Sequence, residues 1–516
     1  MIISLSVLVI TIIVSGTYAL YKAQLSKNIG VNTTTHGLAY YINYVKGTDI
    51  TAATLNPSTS YEGGASSDIE FWKKDDSYDI YGKIELTVNT IGTNLSNSPA
   101  LKYAVVNNGN VLKEGSLKGT TSGSKVTILK NLYLEQTKQI YTVYVWLDNS
   151  EELGNISNES LSISVDCTAS LQKEPTAADT IISLYTSAAK VTATNNSITY
   201  NTAPSVSLMN DRLGGTTTDL DGGNIRYYGA NPNNYIYFNC SDYSNQTSST
   251  CETWRIIGVF DGKLKLIKGS QIGTYSWDNK NTSTGAENNS GKNDWTTARL
   301  MKLLNPVDYY INDNNDKDSE GNYLGYSLYY NSTSGKCYSG KNNATVDCDF
   351  TSTGIKNDET RNMIAETTYN LGGWNTFTVY PNEIYEYERG TTVYTGRLPT
   401  WTGKIALAYP SDYGYAADLN QCVNKQLNKY NDSTCTSNNW MKSIITNNGS
   451  NDGWLLTPHS NYSYIAWGVI LSGIMGGNHA YYSSYGSAPV LYLSSELGIE
   501  SGAGDGSSSN PYKLSA

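Results

Sequence analysis

Few residues in this chain could act as a catalytic base or nucleophile. The sequence contains three histidines, His36, His459 and His479, and none of them lies in a nucleophile-elbow sequence. A serine or cysteine nucleophile needs a neighbouring base, which is most often histidine. The motifs HExxH, CxxC, GxGxxG and GxxxxGK[ST] do not occur. The sequence therefore predicts that the protein is not an enzyme, with no catalytic residue, no metal site and no cofactor.

One cluster of glutamates could form a pair of catalytic carboxylates. Glu383, Glu386 and Glu388 lie close together in the sequence, as the two acids of a glycosidase site must in space. Nothing in the sequence marks one of them as buried, and Arg389 follows directly. We expect a solvated loop here.

A second acidic cluster resembles part of a calcium-binding loop. Asp316, Asp318, Glu320 and Gly321 match positions 1, 3, 5 and 6 of an EF-hand loop. Position 12, which needs a bidentate acid, is Ser327. An acidic surface loop is the favoured interpretation.

The cysteines form sequence-local pairs. Cys240 lies close to Cys251, Cys337 to Cys348, and Cys422 to Cys435, each within polar sequence. This spacing predicts three disulfides that close loops or hairpins in an oxidising compartment, and free thiols in a reducing compartment are the alternative. Cys167 is left over, and a buried, lipidated or intermolecular cysteine would each fit.

The N-terminal segment predicts export. Residues 1–14 are almost wholly apolar, and small residues precede a possible cleavage site after Ala19. Residues 1–19 are therefore interpreted as a signal peptide, or as a membrane anchor that reaches Leu20 or Tyr21, with a buried strand as the alternative. We expect an extracellular or cell-surface protein whose contact with a membrane is confined to this segment.

The composition limits the partners. The 516 residues include 36 Lys and Arg against 46 Asp and Glu, so a net charge of −10 disfavours binding to nucleic acid. Tyrosine, with 43 copies against 5 of phenylalanine, supplies rings that carry a polar group and suit surfaces.

The C-terminal stretch 453–495 contains no Asp, Glu, Lys or Arg. It is rich in Tyr, Ser, Asn and Gly, as in antibody paratopes, where tyrosine gives contact area at low entropic cost. The abundant Tyr, His, Ser and Ile are also residues that adenine replacement in an AAY asparagine codon produces. An uncharged core segment is the alternative interpretation. The candidate ligand-binding residues are His459, Asn461, Tyr462, Tyr464, Ile465, Ile470, Asn478, His479, Tyr481, Tyr482 and Tyr485.

Strand patterns dominate the first third of the chain. Residues 20–168 contain short alternating runs, at 80–88, 101–106, 125–129, 140–147 and 161–165, which predict an all-β sandwich. Asn108-Gly109 predicts a hairpin turn between two of these runs.

A linker, 169–222, with a possible helix near 177–188, leads to a second domain at 223–516. That domain begins with a hairpin turning at Asp261-Gly262. Helices are predicted at 295–304, at 358–371 and, more briefly, at 440–445. The fold class is therefore multidomain, with an N-terminal all-β sandwich and a C-terminal α+β domain.

The second domain also resembles a known family through short motifs spread from 223 to 514. The chain is similar to exported Firmicutes surface proteins whose C-terminal domain has the C-type-lectin fold, in the variant shared with formylglycine-generating enzyme. That fold includes the variable proteins of diversity-generating retroelements. The motifs are Trp254-Arg255-Ile256-Ile257-Gly258, Trp295-Thr296-Thr297-Ala298-Arg299-Leu300, Tyr409-Pro410-Ser411-Asp412-Tyr413-Gly414, Trp454-Leu455-Leu456-Thr457-Pro458, Ala466-Trp467 and Pro489-Val490-Leu491-Tyr492-Leu493.

The resemblance implies a framework and a variable face. The implied face is the set of candidate ligand-binding residues above, rewritten by adenine-directed mutagenesis. The sequence departs from the family at Gly486-Ser487-Ala488-Pro489, where the family usually has Gly-Val-Arg-Pro. The implied framework residues are Trp454, Pro458, Ala466, Trp467, Gly486, Pro489 and Leu491.

The N-terminal region is similar to the camelysin and biofilm-matrix fibre family of secreted β-sandwich proteins. Together the resemblances imply an adhesin-like protein that binds a protein or glycan on another cell or on a phage. The alternatives are a structural matrix or pilus subunit and, with less support, an oxidase like the formylglycine-generating enzymes, which need a reactive cysteine pair.

Overall fold

The structure is a computed structural model, and it shows a mostly β chain with 36% strand and 16% helix arranged in several sheets. Residues 1–19, predicted as a signal peptide or membrane anchor, His36 and residues 316–321, predicted as a surface loop, lie outside the residues that it describes. The described residues are 23–24, 41–51, 55–151, 153–156, 158–188, 191–194, 196–199, 205–213, 222–243, 245–278, 290–309, 325–338, 344–500 and 502–515.

The chain divides into two units, Met1–Glu174 and Pro175–Ala516. Each unit has a hydrophobic core of its own.

Among the described residues of the first unit, strands alternate with short turns, and one short helix, α1, spans Thr93–Asn97. The strands are β1 (Ala23–Gln24), β2 (Ile42–Val45), β3 (Ile50–Thr51), β4 (Pro57–Ser58), β5 (Ala65–Lys73), β6 (Tyr81–Ile91), β7 (Leu101–Asn107), β8 (Asn110–Ser116), β9 (Lys125–Tyr133), β10 (Ile140–Asp148) and β11 (Leu161–Ser170).

These strands form two sheets that share one core. One sheet has the order β1-β11-β6-β9, with β3 on β11, and the other has the order β2-β5-β10-β7-β8, with β4 on β10. Alternate residues of β6, including Ile84, Leu86 and Val88, are buried, as the period-2 pattern predicted. The five predicted strands are all present.

Cys167 lies in this core, opposite Ile84 in the pairing of β11 with β6. It is a free cysteine and fully buried, so the structure shows the buried alternative. Burial raises the pKa of the thiol well above its ordinary value because the thiolate would lose its hydration.

Both predicted hairpin turns are present. Asn108 and Gly109 have φ of 50° and 78°, and Asp261 and Gly262 have φ of 48° and 71°. Positive φ at both central residues is the geometry for which Asn-Gly and Asp-Gly are selected.

The second unit combines strands with short helices. Its described strands are β12 (Val191–Thr194), β13 (Ser197–Thr199), β14 (Leu208–Asn210), β15 (Ile225–Tyr227), β16 (Tyr235–Phe238), β17 (Glu252–Phe260), β18 (Lys263–Lys268), β19 (Ser334–Cys337), β20 (Val346–Asp349), β21 (Thr367–Asn370), β22 (Thr400–Gly403), β23 (Ile405–Ala406), β24 (Gly453–Pro458), β25 (Ile465–Val469), β26 (Met475–His479), β27 (Val490–Tyr492), β28 (Gly498–Ile499) and β29 (Leu514–Ser515). Its described α-helices are α2 (Ala177–Ser187), α3 (Arg299–Leu304), α4 (Asp358–Met363), α5 (Pro381–Glu388), α6 (Pro410–Tyr415), α7 (Ser433–Ser437) and α8 (Trp440–Ile445).

A nine-stranded sheet is the centre of this unit. Its order is β13-β12-β14-β15-β17-β18-β27-β23, with β16 on β17. The β17–β18 hairpin lies in the middle, and β27, from the end of the uncharged stretch, pairs with β18.

Much of the segment predicted as a linker, 169–222, lies in elements of the second unit. The helix α2 matches the predicted helix, and β12, β13 and β14 belong to the nine-stranded sheet. Thr176 and Asp179 form a capping box, and Ile181 and Tyr185 are buried. The sequence analysis missed these strands because each has only three or four residues.

Two predicted helices are shorter than expected, and the third, α8, has the predicted bounds. The helix α3 begins at Arg299, because Asp294 closes a turn by accepting a hydrogen bond from the amide of Thr296. The helix α4 ends at Met363, and the following residues pair with β22 as the strand β21. Pairing between distant segments overrides the helical pattern here.

A network of buried charges connects the central sheet to the helix α6. Asp412 accepts hydrogen bonds from Lys265 and, at 3.0 Å, from Arg226, which also donates to Asp211. All four side chains have at most 1% of their surface exposed. Such charges are tolerated only when they are paired.

Glu388 belongs to the same region, so the prediction of a solvated loop is wrong. It ends α5, is fully buried, accepts hydrogen bonds from the amide and hydroxyl of Ser411, and pairs with Arg389 at 3.1 Å. Glu388 ends a helix whose residues Ile384 and Tyr385 face the core, and its side chain lies on the same buried side of the helix. Burial is the largest influence on Glu388 and raises its pKa to about 7.

We predict that Glu388 makes stability fall as pH rises from 4.5 to about 7. Below its ordinary pKa of 4.5 both states hold the proton, and between 4.5 and about 7 only the folded state does. Relative to Glu388→Gln, the wild-type free energy of unfolding should fall across this window by up to about 3 kcal/mol and then level off. Thermal unfolding of both proteins at closely spaced pH values measures this difference, and parallel curves would contradict it.

Candidate ligand-binding face

The uncharged stretch forms a small sheet and the loops around it. Strands β24, β25 and β26 form a three-stranded antiparallel sheet in that order. Every residue of β24 is buried, whereas β26 is mostly half-buried. One side of the stretch therefore belongs to the core and the other reaches the surface.

The predicted face residues differ widely in exposure. Tyr462 is 47% exposed and Tyr482 39%, whereas His459 and Tyr485 are only 3% and 2% exposed. Asn461 is exposed, and the half-buried residues are Tyr464, Ile465, Ile470, Asn478, His479 and Tyr481.

Five rings form a continuous surface, which we call the aromatic band: Tyr462, Tyr464, His479, Tyr481 and Tyr482. The centroid distances are 5.8 Å from Tyr462 to Tyr464, 4.8 Å from Tyr464 to His479, and 5.9 Å and 6.2 Å from His479 to Tyr481 and Tyr482. Strand register brings the rings together, because Ile465 pairs with His479 and the amide of Ala480 donates to the carbonyl of Tyr464.

The structure places His459 and Tyr485 beneath this surface. The His459 ring lies 4.9 Å from that of Tyr462, and its Nδ1 accepts a hydrogen bond from the amide of Asn461. Burial lowers the pKa of His459, because the imidazolium would lose hydration. Tyr485 stacks on Trp454 with centroids 4.1 Å apart.

Ile470 lies apart from the band. The last pair of the β25–β26 ladder is Val469 with Met475, and Ile470 follows it at the turn. His479 pairs at the other end of the same hairpin. The structure therefore brings the tyrosines and His479 together and leaves Ile470 at the far end.

A buried amide that sequence analysis missed holds the loop beneath the band. Asn293 is 1% exposed, and its Nδ2 donates to the carbonyls of His459, Tyr462 and Ile465 at 3.0, 2.7 and 2.9 Å. Its partners lie more than 160 residues along the chain, so no local pattern could have indicated this role.

Three further rings adjoin the face and were also missed. Trp374 stacks on Tyr387 with centroids 3.8 Å apart, and its carbonyl accepts a hydrogen bond from the amide of Ser460. Phe377 contacts His459 at 5.7 Å and the buried Trp467 at 4.7 Å. Phe377 thus contacts a buried ring beneath the band, whereas Trp374 is connected to the loop through the main chain of Ser460.

The implied framework residues lie inside the molecule. Ala488, at the position where the family has arginine, is 2% exposed. The buried framework residues are Trp454, Pro458, Ala466, Trp467, Gly486, Pro489 and Leu491.

Charged groups lie at the border of the face. Arg397 donates to the carbonyl of Ser463 at 3.3 Å and faces Asp294 at 3.9 Å, and Lys292 pairs with Asp294 at 3.1 Å. The face can therefore offer ring surfaces, amides and hydroxyl groups to a ligand, while two cations and the carboxylate that they share lie at its border.

The cysteine pairing agrees with the prediction. Disulfides join Cys240 to Cys251, Cys337 to Cys348 and Cys422 to Cys435, and the second of these crosses the β19–β20 hairpin. They indicate an oxidising, extracellular environment.

Within the described part of the chain, no cluster of three or more His, Cys, Asp or Glu residues is placed to hold a metal ion. The helices described there are also too short or too polar to cross a membrane.

The chain matches no protein-family model, and a search of curated proteins finds no match either.

We predict that Asn293→Ala loosens the loop at residues 459–465. The substitution removes a donor from the carbonyls of His459 and Tyr462, and leaving such a carbonyl unsatisfied costs about 1–3 kcal/mol. Hydrogen exchange of this loop, measured by mass spectrometry on the full chain, should become at least about fivefold faster. Asn461→Ala, at an exposed site in the same loop, is the matched control, and equal rates in both variants would contradict the proposed role.

Proposed function

We propose that this chain is an exported, surface-associated ligand-binding protein whose contact surface is the aromatic band. The observation that carries the proposal is the band itself: five rings in mutual contact, partly exposed, within a stretch that has no charged residue. Tyrosines of this kind combine large contact area with few rotatable bonds, which suits recognition.

The chemistry of the face favours an uncharged ligand surface. Asn461 is exposed, whereas the half-buried Asn478 donates to the hydroxyl of the buried Tyr485 at 3.5 Å. Amides hydrogen-bond to sugar hydroxyls or to a peptide backbone, while tyrosine rings pack on apolar faces. A glycan or a neutral protein patch on another cell or phage fits this combination.

The resemblance described above supports the same function. In this proposal the second unit is a C-type-lectin-like head, and the first is a β-sandwich stalk held at the surface by the N-terminal segment. The implied framework positions are buried, while most of the implied variable positions reach the surface. The six cysteines of the second unit are all in disulfides, which favours binding over the chemistry of a thiol oxidase.

A structural role as a matrix or pilus subunit is the second candidate. Strand β8 ends its sheet, and Val111 and Leu112 on it are 43% and 39% exposed. Exposed edge strands can pair with another chain. A chain that assembles into fibres and binds none of the probes below would fit this function instead.

We predict that removing two rings of the band weakens binding. The test is a printed glycan array, with a panel of purified bacterial and phage surface proteins, probed with the full chain. Tyr462→Ala combined with Tyr482→Ala should weaken any binding at least about tenfold, since aromatic anchors usually dominate an interface.

Tyr78→Ala is the matched control, because Tyr78 is 45% exposed but lies in the first unit. Binding that survives the double substitution, or that is lost equally in the control, would reject the band as the contact surface.

We also predict that diversification is confined to the face. Many genomic copies of the gene from one bacterial population would be sequenced, and the codons for residues 459–485 compared with those for 254–267. Substitutions at adenine positions in the first window, with the second unchanged, would support retroelement-directed variation. Equal drift in both windows would leave an adhesin of fixed specificity.

A further inference from the structure

A second concave site lies at the tip of the central hairpin, on the surface of the second unit. It is a cavity of ≈ 70 Å³ lined by residues of β21, β27 and α5, together with Asp261 and Lys263 at the β17–β18 turn. One water molecule needs roughly 10–15 Å³ of such space, so a small organic group fits. The cavity shares no lining residue with the aromatic band.

Arg389 lines this cavity, and part of its guanidinium group has no partner in the described part of the chain. Its Cζ lies 3.4 Å from the centre of the Tyr385 ring, and its Nη1 donates to Glu388 at 3.1 Å and to the Tyr385 carbonyl at 3.3 Å. Neither Nε nor Nη2 has an acceptor among the described residues. The ring and Glu388 fix the group in place and leave Nε and Nη2 available.

Two of the residues that line the cavity carry hydroxyl groups to which the described residues offer no partner. The Oγ1 of Thr367 is buried without a hydrogen bond. Tyr492 is only 8% exposed, and its hydroxyl has no hydrogen-bond partner in the part of the chain that the structure describes. The two hydroxyls and the unpaired part of the guanidinium group are all donors, so one bound acceptor would satisfy them together.

We propose that this cavity binds the carboxylate of a small organic acid. The parallel N–H groups at Nε and Nη2 match the two oxygens of a carboxylate, and the hydroxyls of Thr367 and Tyr492 donate to the same group. The charged lining residues are Arg389, Lys263 and Asp261, and Arg389 is also paired with Glu388, so one carboxylate suits the site better than a divalent phosphate.

The test uses the full chain and ¹³C-labelled acetate, with binding followed by saturation-transfer NMR at constant ionic strength. Acetate should bind in competition with formate and propionate. Tyr492→Phe and Thr367→Val each remove one hydroxyl with little change of shape, and each should weaken binding about tenfold. Arg389→Lys keeps the charge but removes the paired donors, and it should weaken binding further.

Tyr482→Phe, in the aromatic band, is the control and should leave acetate binding unchanged. Acetate that binds no better than chloride, equal affinities for wild type and both hydroxyl variants, or stronger binding of inorganic phosphate would each overturn the proposal. None of these results depends on whether the aromatic band binds a ligand, so the two proposals can fail separately.

Discussion

The second unit is organised around the need to neutralise charges that lie entirely inside it. Asp412 has no access to water and is held between Arg226 and Lys265, which come from two strands of the central sheet. Loss of Arg226 would leave Asp211 buried without its cation, and loss of Asp412 would leave Lys265 buried without its carboxylate. Breaking a buried ion pair in this way usually costs about 3–5 kcal/mol. The positions of β15, β18 and α6 are therefore tightly coupled.

The helix α5 connects these buried charges to both candidate sites, the aromatic band and the cavity that Arg389 lines. Glu388 at the end of α5 accepts two hydrogen bonds from Ser411 on α6, and this fixes one helix against the other. The next residue, Arg389, lines the cavity. Tyr387 stacks on Trp374, whose carbonyl accepts a hydrogen bond from Ser460 in the loop under the aromatic band. One short helix thus supports two surfaces of different chemistry.

The features that could be predicted from sequence were those set by neighbouring residues. Asn108-Gly109 and Asp261-Gly262 determine their turns through their own backbone preferences, and cysteines 11 to 13 residues apart can meet only across a local loop. The structure of α4 and β21 was misjudged because the strand depends on pairing with β22, some 30 residues away. The prediction that Glu388 lies in a solvated loop was wrong for the same reason, since the burial of Glu388 depends on contact with α6.

The uncharged stretch can be interpreted as a ligand-binding face or as a core segment, and each interpretation applies to different residues within it. Trp454 and Leu456 are uncharged because they lie in the core, where a lone charge is unfavourable. Burial does not explain Tyr462 and Tyr482, which are among the most exposed large side chains of the unit. Sequence composition could not separate these groups, because the division depends on which side of a small sheet each residue occupies.

The loop under the aromatic band is held through its main chain. Asn293 donates only to carbonyl oxygens, and the amides of His459, Ser460 and Ala480 likewise bond to backbone carbonyls. None of these bonds depends on the identity of the exposed side chains, so residues other than the exposed ones determine the conformation of the loop. Mutations at Tyr462 or Tyr482 can therefore change the exposed side chains of the surface without changing the backbone fold beneath them.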